Sequence, residues 1–457
     1  MARESLGSRF GFLMIAAGCA IGLGNIWRFP YITGRNGGAL FVLVYLVFLA
    51  LIGLPLMIME LSVGRASRKG LYGAFRDLPE KRPSKWRFPA GIAFSGSVIL
   101  MMMYTTITGW LLYYFVQYLG GSFFALKTPE EIGSFFGVFL DNGKQVVFYM
   151  LIAVIIASIV CASGLRNGVE RVTKILMSLL FLILLGLFIY SLTLPNAMQG
   201  IKSYLVPNTG AFSNNFSQVI ADAMTQAFFT LSIGCGAIAI FGSYCDKKRS
   251  LTGEAAWIIV FDTLVALLAG GMIFAICASF HINVDGGPNL IFISFPQMLN
   301  NMPGGAFIGV VFFLFMSIAA MTTVIAVFEN LISFMIDEWK FSRIAASAVN
   351  CAVISLLSLP CSLGFNVWKN VHPLGGNSNF LDLEDWLISD IILPLGSVLI
   401  VIFCTWKSVW GFEKFQNEAN IGDGIKVSRF PYLYLKFILP VLIFCLFCIA
   451  IYSRFFK

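Results

Sequence analysis

Residues 18–30 read Gly-Cys-Ala-Ile-Gly-Leu-Gly-Asn-Ile-Trp-Arg-Phe-Pro inside an apolar segment long enough to cross a bilayer. Three glycines (Gly18, Gly22, Gly24), the amide of Asn25 and the cation of Arg28 interrupt it, so a uniform membrane helix is not expected there. Non-helical backbone at membrane depth survives only where protein buries it or where it lines a wet cavity. A charged side chain such as Arg28 in a spanning segment points to function in its own right. The segment therefore predicts a polar binding site about halfway across the membrane.

The rest of the chain supports a membrane reading. Hydrophobic residues make up 58 % and charged residues 12 % of the 457, against about 25 % charged in soluble domains. Eleven spans are expected, at 10–33, 39–64, 88–119, 146–162, 171–193, 218–244, 255–280, 304–336, 344–364, 382–406 and 431–453, most near or above the ~20 residues a crossing needs. The opening Met-Ala-Arg-Glu lacks a cleavable leader pattern, so the first span is expected to be a true one.

With the N-terminus placed inside, 23 of the 31 Lys and Arg fall on the cytoplasmic face, eight of them between Arg65 and Arg87. This positive-inside bias sets the orientation and explains the net charge of +8 without nucleic acid. An odd number of spans puts the C-terminus outside. The 65–87 loop could also touch anionic lipid. Most of the ten cysteines lie in spans, where Cys behaves as a small apolar residue, so no disulfide framework is expected.

Enzyme chemistry is poorly supplied. There are two histidines, His281 and His372, and no HExxH, paired CxxC or P-loop. Gly22-Leu23-Gly24 fails the dinucleotide fingerprint, since Trp27 stands at the third glycine. Without a nucleotide-binding domain, any work must come from ion or solute gradients. A second interruption lies five spans on, at Thr230-Leu231-Ser232-Ile233-Gly234-Cys235-Gly236. Either segment alone could be a small-residue packing motif. Two at corresponding positions point to an inverted-repeat transporter with its site at the breaks. Spans 1–5 (about 10–193) and 6–10 (about 218–406) would be the repeats, and the last (about 431–453) lies outside the symmetry. A broken helix offers free amides and a positive dipole end to a carboxylate, and free carbonyls to a hard cation such as Na⁺.

These motifs, with NGG and Phe at 36–41, PLMIMELSVGR (55–65), GVERVTK (168–174), QAFFTLSIGCGA (226–237), MTT (321–323) and LDLED (381–385), resemble those of the neurotransmitter:sodium symporter family, especially its bacterial amino acid transporters. The resemblance runs nearly end to end. It implies an all-α integral membrane protein with the LeuT fold: eleven helices here, a 5+5 inverted repeat, and helices 1 and 6 broken. One sodium site would comprise the Ala20 and Thr230 carbonyls, Asn25, the Thr230 hydroxyl, Asp262 and the substrate carboxylate. The other would comprise carbonyls of Gly18, Ile21 and Ala319 with the Thr322 and Thr323 hydroxyls. The substrate carboxylate would meet the Leu23 and Gly24 amides and Tyr104. Its ammonium would meet Ala20, Phe229, Thr230 and Ser232. Leu100, Tyr104, Phe229, Cys235, Thr323 and Val327 would line the side-chain pocket, with Cys19 nearby. Arg28 and Asp385 would gate the outer path above Phe229 and Tyr104. Arg3 and Asp337, with Ser243 and Tyr244 alongside, would latch the inner one, and Glu60 would accept amides freed in helix 6.

The resemblance also implies a plasma-membrane protein of a bacterium, a monomer or weak dimer in the lipid bilayer, and no enzyme activity. Asp262 stands where many relatives have asparagine, and Ala266 one turn on where chloride-dependent relatives have serine. A permanent carboxylate could replace chloride and pick up a proton on the return step; the other reading is a protonated structural residue. Gly22 leaves no aspartate for an amine lacking its own carboxylate, so an amino acid is expected, hydrophobic or aromatic, with the small Cys235 leaving room for a large side chain. Two Na⁺ with a zwitterion move two charges, roughly 4–5 kcal/mol at 100 mV. A substrate sensor on the same scaffold, which binds without accumulating, is the rival reading.

Overall fold

The computed structural model describes residues 4–79, 83–207, 210, 216–282, 284, 289–302, 304–429 and 431–455. It is helical throughout, with two isolated β-bridges among the described residues. The principal helices are α1 (Arg9–Ala20), α2 (Gly24–Arg35), α3 (Ala39–Ser67), α4 (Arg87–Leu119), α5 (Gly143–Ala162), α6 (Leu165–Leu192), α7 (Phe216–Leu231), α8 (Ala237–Tyr244), α9 (Leu251–Ser279), α10 (Gly305–Trp339), α11 (Arg343–Leu363), α12 (Phe380–Thr405) and α13 (Leu439–Phe455). Eight of these are continuous helices long and apolar enough to cross a membrane. A ninth span is the bent pair α1–α2, whose axes turn by 55°. Across the expected sixth span, α7 and α8 are separated by residues 232–236. In the eleventh, Tyr434–Ile449 forms a shorter apolar helix.

Helix starts follow capping chemistry more closely than hydropathy. Ser250 accepts from the Gly253 amide at 3.3 Å and starts α9 four residues before the expected 255. Asn379 and Asp382 form a reciprocal capping box that opens α12, satisfying amides that a helix start otherwise leaves free. The expected outer loop 120–145 contains a helix at Pro129–Asp141 with its own capping box at Thr128.

Five widened turns, at Gly24–Arg28, Leu49–Gly53, Leu290–Ser294, Leu387–Ile392 and Tyr434–Ile438, each end two residues before a proline. Proline lacks the amide and crowds the carbonyl four residues back, and a π-turn relieves both. Two of them lie within α2 and α12, beside the site.

α10 is the central post. It packs against α1, α4, α5, α6 and α11, and 83 % of its most apolar window is buried, against 28 % in α6. Outer helices show aliphatic faces such as Ile155, Ile159, Leu182 and Ile189, as a bilayer solvent requires. α8 packs on α3 so closely that a Cβ at Gly64 would strike the Ala239 carbonyl, and one at Gly242 the Leu61 carbonyl.

Candidate functional site

The chain is unwound at two places, and the site is built between them. At the first, α1 ends at Ala20 and Ile21 turns extended (φ −72°, ψ 104°). The Thr323 hydroxyl on α10 reaches the carbonyls of Gly18 (3.2 Å), Ile21 (3.3 Å) and Ala319 (3.4 Å), and Thr322 donates to Ala319 at 3.0 Å. Five hard oxygens from Gly18, Ile21, Ala319, Thr322 and Thr323 thus meet in one buried spot. That donor set suits a small monovalent cation better than a transition metal.

A second polar knot lies on the other side of the break. The Asn25 amide donates to Asp262 Oδ1 at 2.8 Å and to the Asp262 carbonyl at 3.1 Å, and the Thr230 hydroxyl donates to Asp262 Oδ2 at 3.0 Å. Asn25 Oδ1 accepts the Gly22 amide at 3.2 Å. Asn25 and Asp262 are fully buried, so a charge here needs these partners.

Between the two knots is a small cavity lined by Cys19, Ala20, Gly24, Leu100, Tyr104, Phe229, Ser232, Thr323 and Leu393. The Leu23 amide donates to the Tyr104 hydroxyl at 2.7 Å. Gly22 has no room for a side chain: a Cβ would collide with the Tyr104 hydroxyl and come within 2.7 Å of Thr323 Oγ1. Ser232 donates to the Cys19 carbonyl at 3.2 Å. Leu393, on α12, was missed in the sequence, because an apolar pocket wall reads like core. Two expected residues are not among those that line this cavity. Val327 is buried away from this cavity's lining. Cys235 instead lines a neighbouring cleft with Gly70, Leu71, Phe94, Asn330 and Asp337, while its thiol donates to the Ser232 carbonyl at 3.2 Å.

At the second break Ser232 (φ 50°), Gly234 (φ 97°) and Gly236 (φ 78°) take left-handed backbone, which glycine adopts at little cost. Buried Glu60 accepts the Gly234 amide at 2.5 Å.

The two ends of the path are closed differently. On one side Arg28 lies 3.7 Å from Asp385, with Ser389 bridging them at 2.9 Å to each, and the guanidinium sits 4.4 Å over the Phe229 ring. An open vestibule bounded by Trp27, Tyr31, Asp222 and Asp382 lies beyond. On the other side Tyr244 donates to buried Glu329 at 2.6 Å, Glu329 pairs with Arg343 at 2.8 Å, and Arg343 with Glu4 at 2.9 Å. Arg3 lies outside the described residues. Glu329 and Arg343 were not singled out in the sequence, although a glutamate inside span 304–336 carries the same signal as Arg28. In the adjacent loop, the Arg76 guanidinium beside Asp77 lowers that carboxyl to about 2, and Lys69 helps; Arg76 also pairs with Glu338.

Comparison with known proteins decides what this architecture is. The model of the sodium:neurotransmitter symporter family matches residues 3–124 and 137–455. The chain belongs to that family. The symporter is 33 % identical to the uncharacterised sodium-dependent transporter YhdH of Bacillus subtilis over 96 % of both chains. It is 26 % identical to the sodium-dependent serotonin transporter of Drosophila melanogaster, over 98 % of this chain and 76 % of that one. Its structure superposes on the crystal structure of MhsT in complex with L-phenylalanine with a TM-score of 0.88 and 35 % identity, covering 98 % of this chain and 100 % of MhsT. The protein is therefore a sodium-coupled membrane transporter with the fold expected, and not an enzyme.

Proposed function

We propose that the symporter accumulates amino acids with hydrophobic or aromatic side chains, using two Na⁺ and no chloride, by alternating access of two five-helix repeats in a bacterial plasma membrane, N-terminus inside and C-terminus outside. The observation that carries this reading is the Leu23 amide at the start of α2, held 2.7 Å from the Tyr104 hydroxyl. The amide at a helix start and the phenol, bonded here to each other, are two donors that a carboxylate can take up in place of their mutual bond. The neighbouring lining is apolar except for Ser232 and Thr323, so the rest of the ligand is expected to be apolar. The solved complex of MhsT with phenylalanine supports a large side chain.

Freedom from chloride is argued from Asp262. Its carboxylate faces Asn25 and Thr230, and supplies next to sodium the negative charge that a bound anion would otherwise supply. Ala266, one turn on, offers no hydroxyl. The test is uptake by purified protein in liposomes, followed by counterflow with a mixture of twenty labelled amino acids. Uptake is expected with an inward Na⁺ gradient in gluconate as well as in chloride, with phenylalanine, tyrosine, tryptophan, leucine or methionine exchanging best. Binding without accumulation would instead favour the sensor reading.

A further inference from the structure

A cleft unrelated to the transport path lies at the end of the molecule where α12 finishes. It holds about 480 Å³ between the turn after α12, the helix Phe412–Ala419 and the segment leading into α13. Trp410 and Phe412 form a buried floor, and the Tyr432 ring, tilted 54° to that of Phe412 with 4.8 Å between centroids, forms one wall. Lys407, Lys414 and Arg429 face the opening, against a single carboxylate, Glu413. The side chains of Lys407 and Arg429 have no ion-pair partner among the described residues. From the Tyr432 wall an exposed apolar row, Leu433, Phe437 and Val441, runs along the start of the last span at helical spacing.

We infer that this cleft binds the phosphodiester headgroup of an anionic phospholipid, with the acyl chains lying along Leu433, Phe437 and Val441. Cations grouped over an aromatic floor at the membrane interface suit such a headgroup. The apolar row separates a lipid from a free anion, because inorganic phosphate gains nothing from it. Since the cleft lies between the turn after α12, the 412–419 helix and the segment leading into α13, a bound lipid would tie these segments together. The inference rests on the orientation proposed above, which puts the cleft at the cytoplasmic leaflet.

The test is thermal unfolding of the purified protein in neutral micelles titrated with phosphatidylglycerol. Wild type is expected to unfold at rising temperature with saturation. In K407Q/R429Q the apparent affinity should weaken by about thirtyfold, while K407R/R429K retains it. Inorganic phosphate and phosphatidylcholine should give no shift. Unchanged affinity in K407Q/R429Q, or an equal shift with phosphate or phosphatidylcholine, would overturn the inference. Sodium-dependent phenylalanine binding measured on the same samples reports separately on the transport reading and is expected to survive in all variants.

Discussion

The two helix breaks solve the same problem in different ways. At the first, the loose backbone groups between Ala20 and Gly24 are met by side chains from the expected site: Thr323 on the Gly18 and Ile21 carbonyls, Asn25 on the Gly22 amide, Tyr104 on the Leu23 amide. Its residues keep negative φ. At the second, three residues sit at positive φ and the Gly234 amide is held by Glu60, a buried residue on α3 that does not line the cavity. Gly396 and Gly234 also pack backbone to backbone, since a Cβ at Gly396 would strike the Gly234 carbonyl. The first break is therefore held by groups that a ligand can replace, and the second by groups that stay. Substitutions at the first should change binding; those at the second should change folding.

The largest effect is expected from Gly234→Ala. A Cβ there meets the Leu393 carbonyl and lies 2.7 Å from the Ser397 hydroxyl, at a φ of 97°. Left-handed strain alone costs roughly 1–2 kcal/mol, and the clash adds more. Size-exclusion profiles should show loss of the folded monodisperse protein; a normal peak would break the contrast between the breaks. Next is Asp262→Asn, which removes the buried charge while keeping the shape. Sodium affinity in uptake assays should fall at least about tenfold, a change of roughly 1.4 kcal/mol. Asp262→Asn with Ala266→Ser should recover part of it only when chloride is present.

Glu60→Leu leaves the Gly234 amide unpaired, at about 1–3 kcal/mol. The thermal midpoint should drop while phenylalanine affinity in the surviving protein stays close to wild type. Tyr104→Phe also unpairs a buried amide, that of Leu23, so the thermal midpoint should drop too, but here about 1 kcal/mol of binding is lost with the hydroxyl, read as roughly fivefold weaker affinity, which Glu60→Leu should not show. Arg28→Lys should be smallest. The pair with Asp385 is partly exposed and long at 3.7 Å, and such pairs contribute about 0–1 kcal/mol; a modest rise in substrate off-rate is expected from the lost stacking on Phe229.

The breaks were legible because glycines, hydroxyls and a cation inside apolar segments have a cost that only a site explains. Much else was not. The widened turns before Pro30, Pro55, Pro296, Pro394 and Pro440 leave hydropathy unchanged, so a search for apolar runs passes over them. The starts of α9 and α12 depend on Ser250 and Asn379, polar residues that a search for apolar runs discards. The resemblance puts Cys235 in the pocket, and the structure shows it lining the neighbouring cleft while its thiol bonds the Ser232 carbonyl. Glu329 was legible by the rule that singled out Arg28. Its partner Arg343, first residue of α11, was hidden among ordinary loop cations.

The central claim is that the two breaks bind an amino acid and sodium together. Equilibrium binding of labelled phenylalanine to purified protein, compared in sodium gluconate and potassium chloride, tests it most directly. The account predicts saturable binding in sodium gluconate, weakened by Tyr104→Phe, and none in potassium chloride. Equal binding in the two salts would contradict it.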